Sequence, residues 1–89
     1  MTELNLDQLR AQIDDIDTQI TDLFKLRMEI SVEVAKYKKE NGIAVLNSER
    51  ELEILRRVSE QIGEPFDDYA KQLFNTIFEV SKACQMEII

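Results

Sequence analysis

Apolar residues recur along the first part of the chain at alternating steps of three and four: Leu6, Leu9, Ile13, Ile16, Ile20 and Leu23, then, past Arg27, Ile30, Val34 and Tyr37. That spacing is the stripe of one long amphipathic helix. The helix is expected to run from about Asn5 to Glu40, closed by Asn41-Gly42, a pair suited to the left-handed turn at a helix end. Arg27 fills a stripe position whose neighbours are apolar. A guanidinium in an apolar helical interface is costly unless an anion or an acidic side chain meets it, so the position points to a negative partner inside the bundle.

Beyond the Ile43-Ala44-Val45-Leu46 connector, a second helix is expected from Asn47 or Ser48, where Ser48 and Glu51 have the spacing of a capping box. Its apolar face is read as Leu52, Leu55, Val58 or Ser59, and Ile62, and Gly63 ends it. A third helix follows the Glu64-Pro65 break with Asp67 as its expected cap, and carries Phe66, Ala70, Leu73, Phe74, Ile77, Phe78, Cys84 and Ile88. No segment reads as a strand, a glycine-rich loop or a repeat. The predicted fold class is all-α, with one long helix and two shorter ones in a single domain over residues 1–89.

Size makes a second copy the expected remedy for a thin core. At ~1.5 Å per residue the first helix spans ~54 Å, whereas a globule of this chain length is only about 30 Å across. Its stripe therefore runs past what two short helices can cover, and the remainder is expected to pack on a partner in an intertwined homodimeric helical bundle. The 89 residues contain neither a disulfide pair nor a metal-ligand cluster that would stabilise so small a domain alone.

Charge and cysteine usage then exclude several classes of partner. With 18 acidic and 11 basic residues the net charge is −7, which argues against nucleic-acid or anionic-membrane binding, so any anion site must be local. The one cysteine, the polar and acidic start Met1 to Asp7, and the absence of ~20 consecutive apolar residues read together as a cytoplasmic chain.

The usual general base and nucleophile are missing: there is no histidine, and Cys84 lies in an apolar stripe that reads as core. Any catalysis has to work by positioning and electrostatics. The candidates are polar residues that interrupt apolar faces. Arg27 and Lys38, eleven residues apart, fall within ~20° of one helix face and ~16 Å along it, and could frame an anion across Ser31. Lys38 can equally snorkel at the helix end. Ser81 and Gln85 share the apolar face of the third helix, where they either bind a ligand or bond each other or the backbone. Asn47 and Glu51, with Arg50 beside them, share a face of the second helix, although capping accounts for Asn47, Ser48 and Glu51 without any function.

In order and spacing, Arg10, Arg27, Lys38, Asn47, Arg50, Glu51, Ser81 and Gln85 resemble the active-site pattern of the all-helical chorismate mutases. The resemblance runs through Leu9-Arg10-x-x-Ile13-x-x-Ile16-Asp17, through Arg27 with Val32-Glu33-Val34-Ala35-x-x-Lys38, and through Arg50-Glu51 with its leucine-rich continuation, and covers nearly the whole chain. Asn47 departs from it, standing where a well-known bacterial member has aspartate. The resemblance implies conversion of chorismate to prephenate, a step toward phenylalanine and tyrosine, by an intramolecular Claisen rearrangement that needs no acid, base, metal or cofactor. It further implies that Arg10, Arg27 and Arg50 hold the substrate's two carboxylates with help from Ser81, that Lys38 and Gln85 donate to the ether oxygen, and that Glu51 with Asn47 takes the ring hydroxyl. Arg10 and Arg27 lie 17 residues apart, ~25 Å along one helix and roughly 100° apart in direction, too far to grip one small molecule together. If both serve a site, Arg10 serves the partner's, which an antiparallel pairing of the long helices allows.

Two rival readings accompany this one. A lyase of the same fold would use a similar cationic pocket to split isochorismate into pyruvate and salicylate. A non-catalytic helical dimerisation module would pair Arg27 with a buried glutamate such as Glu33 or Glu79 of a partner helix. Nothing in the sequence reads as a second catalytic or amino-acid-sensing domain.

Overall fold

A computed structural model describes residues 5–88, and the first four residues of the acidic start lie outside the described part. Three helices make up the fold: α1 (Leu6–Glu40), α2 (Ser48–Ile62) and α3 (Asp67–Ile88), with no strand among the described residues. The chain divides into two compact units, residues 1–30 and residues 31–89.

The first unit is the leading part of α1. Its start is fixed by a reciprocal cap in which Asn5 Oδ1 accepts from the Gln8 backbone N–H at 2.9 Å and Gln8 Oε1 accepts from the Asn5 N–H at 3.0 Å. Two donors that the first turn leaves without helical partners are thereby satisfied. Leu6, Leu9, Ile13, Ile16, Ile20, Leu23, Leu26 and Ile30 are all exposed, while Phe24, Arg27 and Met28 are half-buried.

In the second unit α1 continues to Glu40 and ends as the Asn41-Gly42 pair predicts. Gly42 takes φ 65°, the Ile43 N–H donates to Lys38 O at 2.8 Å and the Gly42 N–H to Lys39 O at 3.4 Å. This is a Schellman closure, and the left-handed residue it needs is the one without a Cβ. Gly63, at φ 68°, stops α2 in the same region, its N–H donating to Ser59 O at 3.0 Å. Asp67 is the first residue inside α3 rather than its cap. Together with Asp68 it places negative charge in the first turn, where the helix dipole favours it.

The core of this unit is the contact of α2 with α3: Ile54 and Val58 meet Ala70 and Phe78, with Leu55 and Phe74 packed against them. The Phe74 and Phe78 rings meet edge to face, 6.3 Å between centroids and 65° between planes. The expected face of α2 is corrected here. Ile54, absent from that reading, is 6% exposed, whereas Leu52 is 62% exposed and Ile62 is exposed as well. Val58 and Leu55 of the expected face do pack at the α2–α3 contact, beside Ile54, whereas Leu52 and Ile62 turn outward. Phe66, expected on the third helix, lies in the turn before α3 and is exposed, as is Leu73 on α3, whose buried positions include Ser81 and Gln85. The residues of α1 covered in this unit are the small ones, Ser31 and Ala35, while the stripe members Val34 and Tyr37 are exposed.

The start of α2 differs from the predicted capping box. Asn47 is the cap, its Oδ1 accepting from the Arg50 N–H at 3.1 Å, and Ser48 is the first helical residue. Asn47→Ala should therefore cost about 1 kcal/mol of stability and Ser48→Ala less than about 0.5 kcal/mol in urea titrations. The reverse order would return the cap to Ser48.

Candidate active site

Six of the eight residues singled out from the sequence, Lys38, Asn47, Arg50, Glu51, Ser81 and Gln85, belong to the second unit; Arg10 and Arg27 belong to the first. Arg10 is exposed on α1 and Arg27 is half-buried.

Gln85 is the most constrained of them. Its Nε2 donates to Ser31 O at 3.1 Å and to Ser31 Oγ at 2.8 Å, and both residues are buried. The amide thus ties α3 to α1 and commits both of its N–H groups to one residue. Of the bonds left open by the sequence, Gln85 makes one to the backbone and hydroxyl of another helix. Ser81 is buried one turn earlier on the same helix.

Lys38 is half-buried, and its Nζ donates to Val45 O at 2.9 Å. The side chain is held against the α1–α2 connector, and an ammonium with one donor used keeps two more. Asn47 spends its side-chain oxygen on the α2 cap. Arg50 turns along its own helix, Nη1 donating to Glu53 Oε1 at 2.7 Å in an exposed pair. Capping, then, accounts for Asn47 but not for Glu51.

The carboxylate of Glu51 instead meets Lys82 of α3, with Nζ at 3.1 Å from Oε2 and 3.5 Å from Oε1. Lys82 was not among the residues picked from the sequence. The signal was its register: Phe78, Ser81, Lys82 and Gln85 follow the i, i+3, i+4, i+7 pattern of one helix face, so a lysine there sits beside two residues already chosen. The open depression lined by Leu52, Leu55, Arg56, Ser59, Glu60 and Lys71 contains none of the predicted site residues. No helix among the described residues is long and apolar enough to cross a membrane.

Chemically, this unit presents an anchored ammonium, a buried amide, a buried serine hydroxyl and a carboxylate already met by one cation. Such a set can position and polarise a ligand. The family described as chorismate mutase type II matches residues 9–86. The chain belongs to that family. Among curated proteins, it is 35% identical over 51 residues to the T-protein of Haemophilus influenzae, covering 57% of this chain and 14% of that one. It is also 35% identical over 51 residues to the 4-amino-4-deoxychorismate mutase of Streptomyces venezuelae, covering 56% of this chain and 50% of that one. A protein of Pyrobaculum aerophilum named 3-dehydroquinate dehydratase is 28% identical over 81 residues, 91% of this chain and 24% of its own. The chain thus spans half or less of the length of these relatives. Among solved structures, a conserved hypothetical protein from Pyrococcus furiosus superimposes with a TM-score of 0.78 at 39% identity, covering 94% of this chain and 99% of that one.

The Gln85–Ser31 tie gives a stability prediction. Ser31→Ala removes the better of the two acceptors of a buried amide and should cost about 1–3 kcal/mol. Combined with Gln85→Met it should cost less than the sum of the single changes, because the stranded N–H is gone. Additive losses in denaturant titrations would mean that the two side chains are not coupled.

Proposed function

We propose that this chain is a chorismate mutase, an isomerase that rearranges chorismate to prephenate in the cytoplasm as a homodimer of single-domain subunits. The observation that carries the reading is the pairing of an anchored ammonium, Lys38, with a buried amide, Gln85, in a chain of the chorismate mutase type II family that has no histidine. A pericyclic rearrangement needs donors at the breaking C–O bond and a clamp on the substrate, and these side chains are of that kind.

In the proposed site Arg27 and Arg50 hold the two carboxylates with Ser81, favouring the compact conformer in which the reacting carbons approach. Lys38 directs a remaining proton at the ether oxygen, where negative charge gathers as the bond breaks. Gln85 transfers one N–H from Ser31 Oγ to that oxygen and keeps its bond to Ser31 O, so its carbonyl partner goes on orienting the amide while the other donor serves the reaction. Glu51 takes the ring hydroxyl. Asn47, its side-chain oxygen used by the cap, contributes through its backbone.

The dimer reading is supported by the exposed apolar residues of α1, among them Leu6, Leu9, Ile13, Ile16, Ile20, Leu23, Leu26 and Ile30 in the first unit and Val34 and Tyr37 in the second, because clustered exposed apolar side chains mark a surface that another chain covers. Packing those residues on a second copy in antiparallel fashion would bring Arg10 to the partner's site, so that each pocket is composite.

Incubation with chorismate tests the activity: loss of chorismate with formation of prephenate is the expected result. Inertness toward chorismate with salicylate formed from isochorismate would make the chain a lyase, and no turnover of either would leave a dimerisation module. The substrate named for the Streptomyces relative, the analogue with an amino group in place of the ring hydroxyl, belongs in the same assay.

The shared pocket is tested by mixing two inactive variants. Arg10→Ala and Arg27→Ala should each lose about 2–5 kcal/mol of transition-state stabilisation, the cost of removing a carboxylate clamp from a desolvated site. Unfolded together in equal amounts and refolded, about half of the dimers are mixed, and each mixed dimer has one pocket with both arginines. About a quarter of the wild-type activity should return. If Arg10 acted within its own chain, every pocket would lack one arginine and nothing would return.

A further inference from the structure

The ion pair between Glu51 and Lys82 is unlike its neighbours. Lys36–Glu33, Arg50–Glu53 and Lys71–Asp68 each lie within one turn of one helix, with every side chain but the half-buried Lys71 largely in solvent. Lys82–Glu51 joins α3 to α2 across 31 positions of sequence, with the side chains only 33% and 26% exposed. Its ammonium reaches both carboxylate oxygens, at 3.1 and 3.5 Å, so the carboxyl plane is fixed from the α3 side. The lysine that does this stands between Ser81 and Gln85 on one helix face. Arg56 and Arg57, the other cations of α2, are exposed.

We infer that Lys82 is a positioning and specificity-determining residue: by pairing with Glu51 it leaves that carboxylate able to accept from a neutral ring hydroxyl while penalising a cationic group at the same place. This rests on the mutase reading and on Glu51 taking the ring substituent. A carboxylate has about four acceptor positions, and a single ammonium leaves room for an O–H donor. The hydroxyl adds no charge, so nothing repels it. An aliphatic amine is protonated at neutral pH, and one docked on Glu51 would lie a few ångströms from the Lys82 ammonium. The two cations would then compete for one carboxylate in a partly desolvated setting, where like-charge repulsion is poorly screened. With Lys82 absent, Glu51 becomes an uncompensated anion and the preference should move toward the amine.

The experiment measures kcat/KM for chorismate and for its 4-amino analogue with the wild-type chain, Lys82→Met and Lys82→Arg. Lys82→Met should raise the amino-to-hydroxyl ratio of kcat/KM about tenfold, chiefly through KM, as expected for a charge a few ångströms away. Lys82→Arg, which keeps the charge, should leave the ratio within about threefold of wild type. Should Lys82→Met fail to fold, Lys82→Gln keeps a donor to Glu51 without the charge and should shift the ratio in the same direction. A wild type active on chorismate whose ratio is unmoved by either neutral variant overturns the role of Lys82 and leaves the mutase reading standing. A wild type inactive on both compounds overturns the mutase reading, and the role of Lys82 falls with it.

Discussion

Gln85 fixes the rotation of α3. Both of its N–H groups end on Ser31 in a setting that is almost closed to water, and turning the helix away would strand them. Phe78, seven residues earlier and only ~20° away around the axis, is thereby directed inward as well, where it meets the Ile54 and Val58 line of α2. Lys82, between them, is carried to Glu51. One buried amide therefore sets the register of the apolar core and of the cross-helix ion pair together.

The ends of the helices were legible in the sequence and their faces were only partly so. Ends are local: Asn41-Gly42 and Gly63 close their helices because a residue without a Cβ takes a positive φ at no steric cost. Faces depend on what comes to meet them. Apolar residues occur all round α2, and the tertiary contact with α3 selects Ile54, Leu55 and Val58 while leaving Leu52 and Ile62 outside. The same cause explains the cap. Asn47 and Ser48 are both competent; Asn47 takes the cap, and Glu51 meets Lys82, a partner too distant for any local spacing to show.

Among the residues chosen for chemistry, those read as interruptions of an apolar face fared according to how deep that face is. Ser81 and Gln85 are buried, as a polar pair on the inner face of α3 should be. Arg50 shares a turn with Glu53 at the surface, where an i,i+3 pair forms at little cost. Ser31, the acceptor that organises the unit, drew notice only as a small residue between two cations. Small polar side chains carry little weight in a hydrophobic pattern, yet here one leaves its own backbone carbonyl within reach of the long Gln85 amide.

That contrast bears on why α1 is built with two unlike sides. In residues 31–40 the covered positions are Ser31 and Ala35, with Lys38 anchored on the connector, while Ile30, just before them, and Val34 and Tyr37 stay exposed. Had the large apolar residues been turned to the chain's own α3, they would have supplied a thicker core and no polar lining, and a dicarboxylate would find nothing to bind. Turning the small and polar side inward leaves a thin core and a long apolar surface without cover. The proposed dimer would resolve both at once, each subunit covering the surface that the other leaves bare. On the proposed reading the thin core would follow from the site, since residues that bind an anion are poor material for a core.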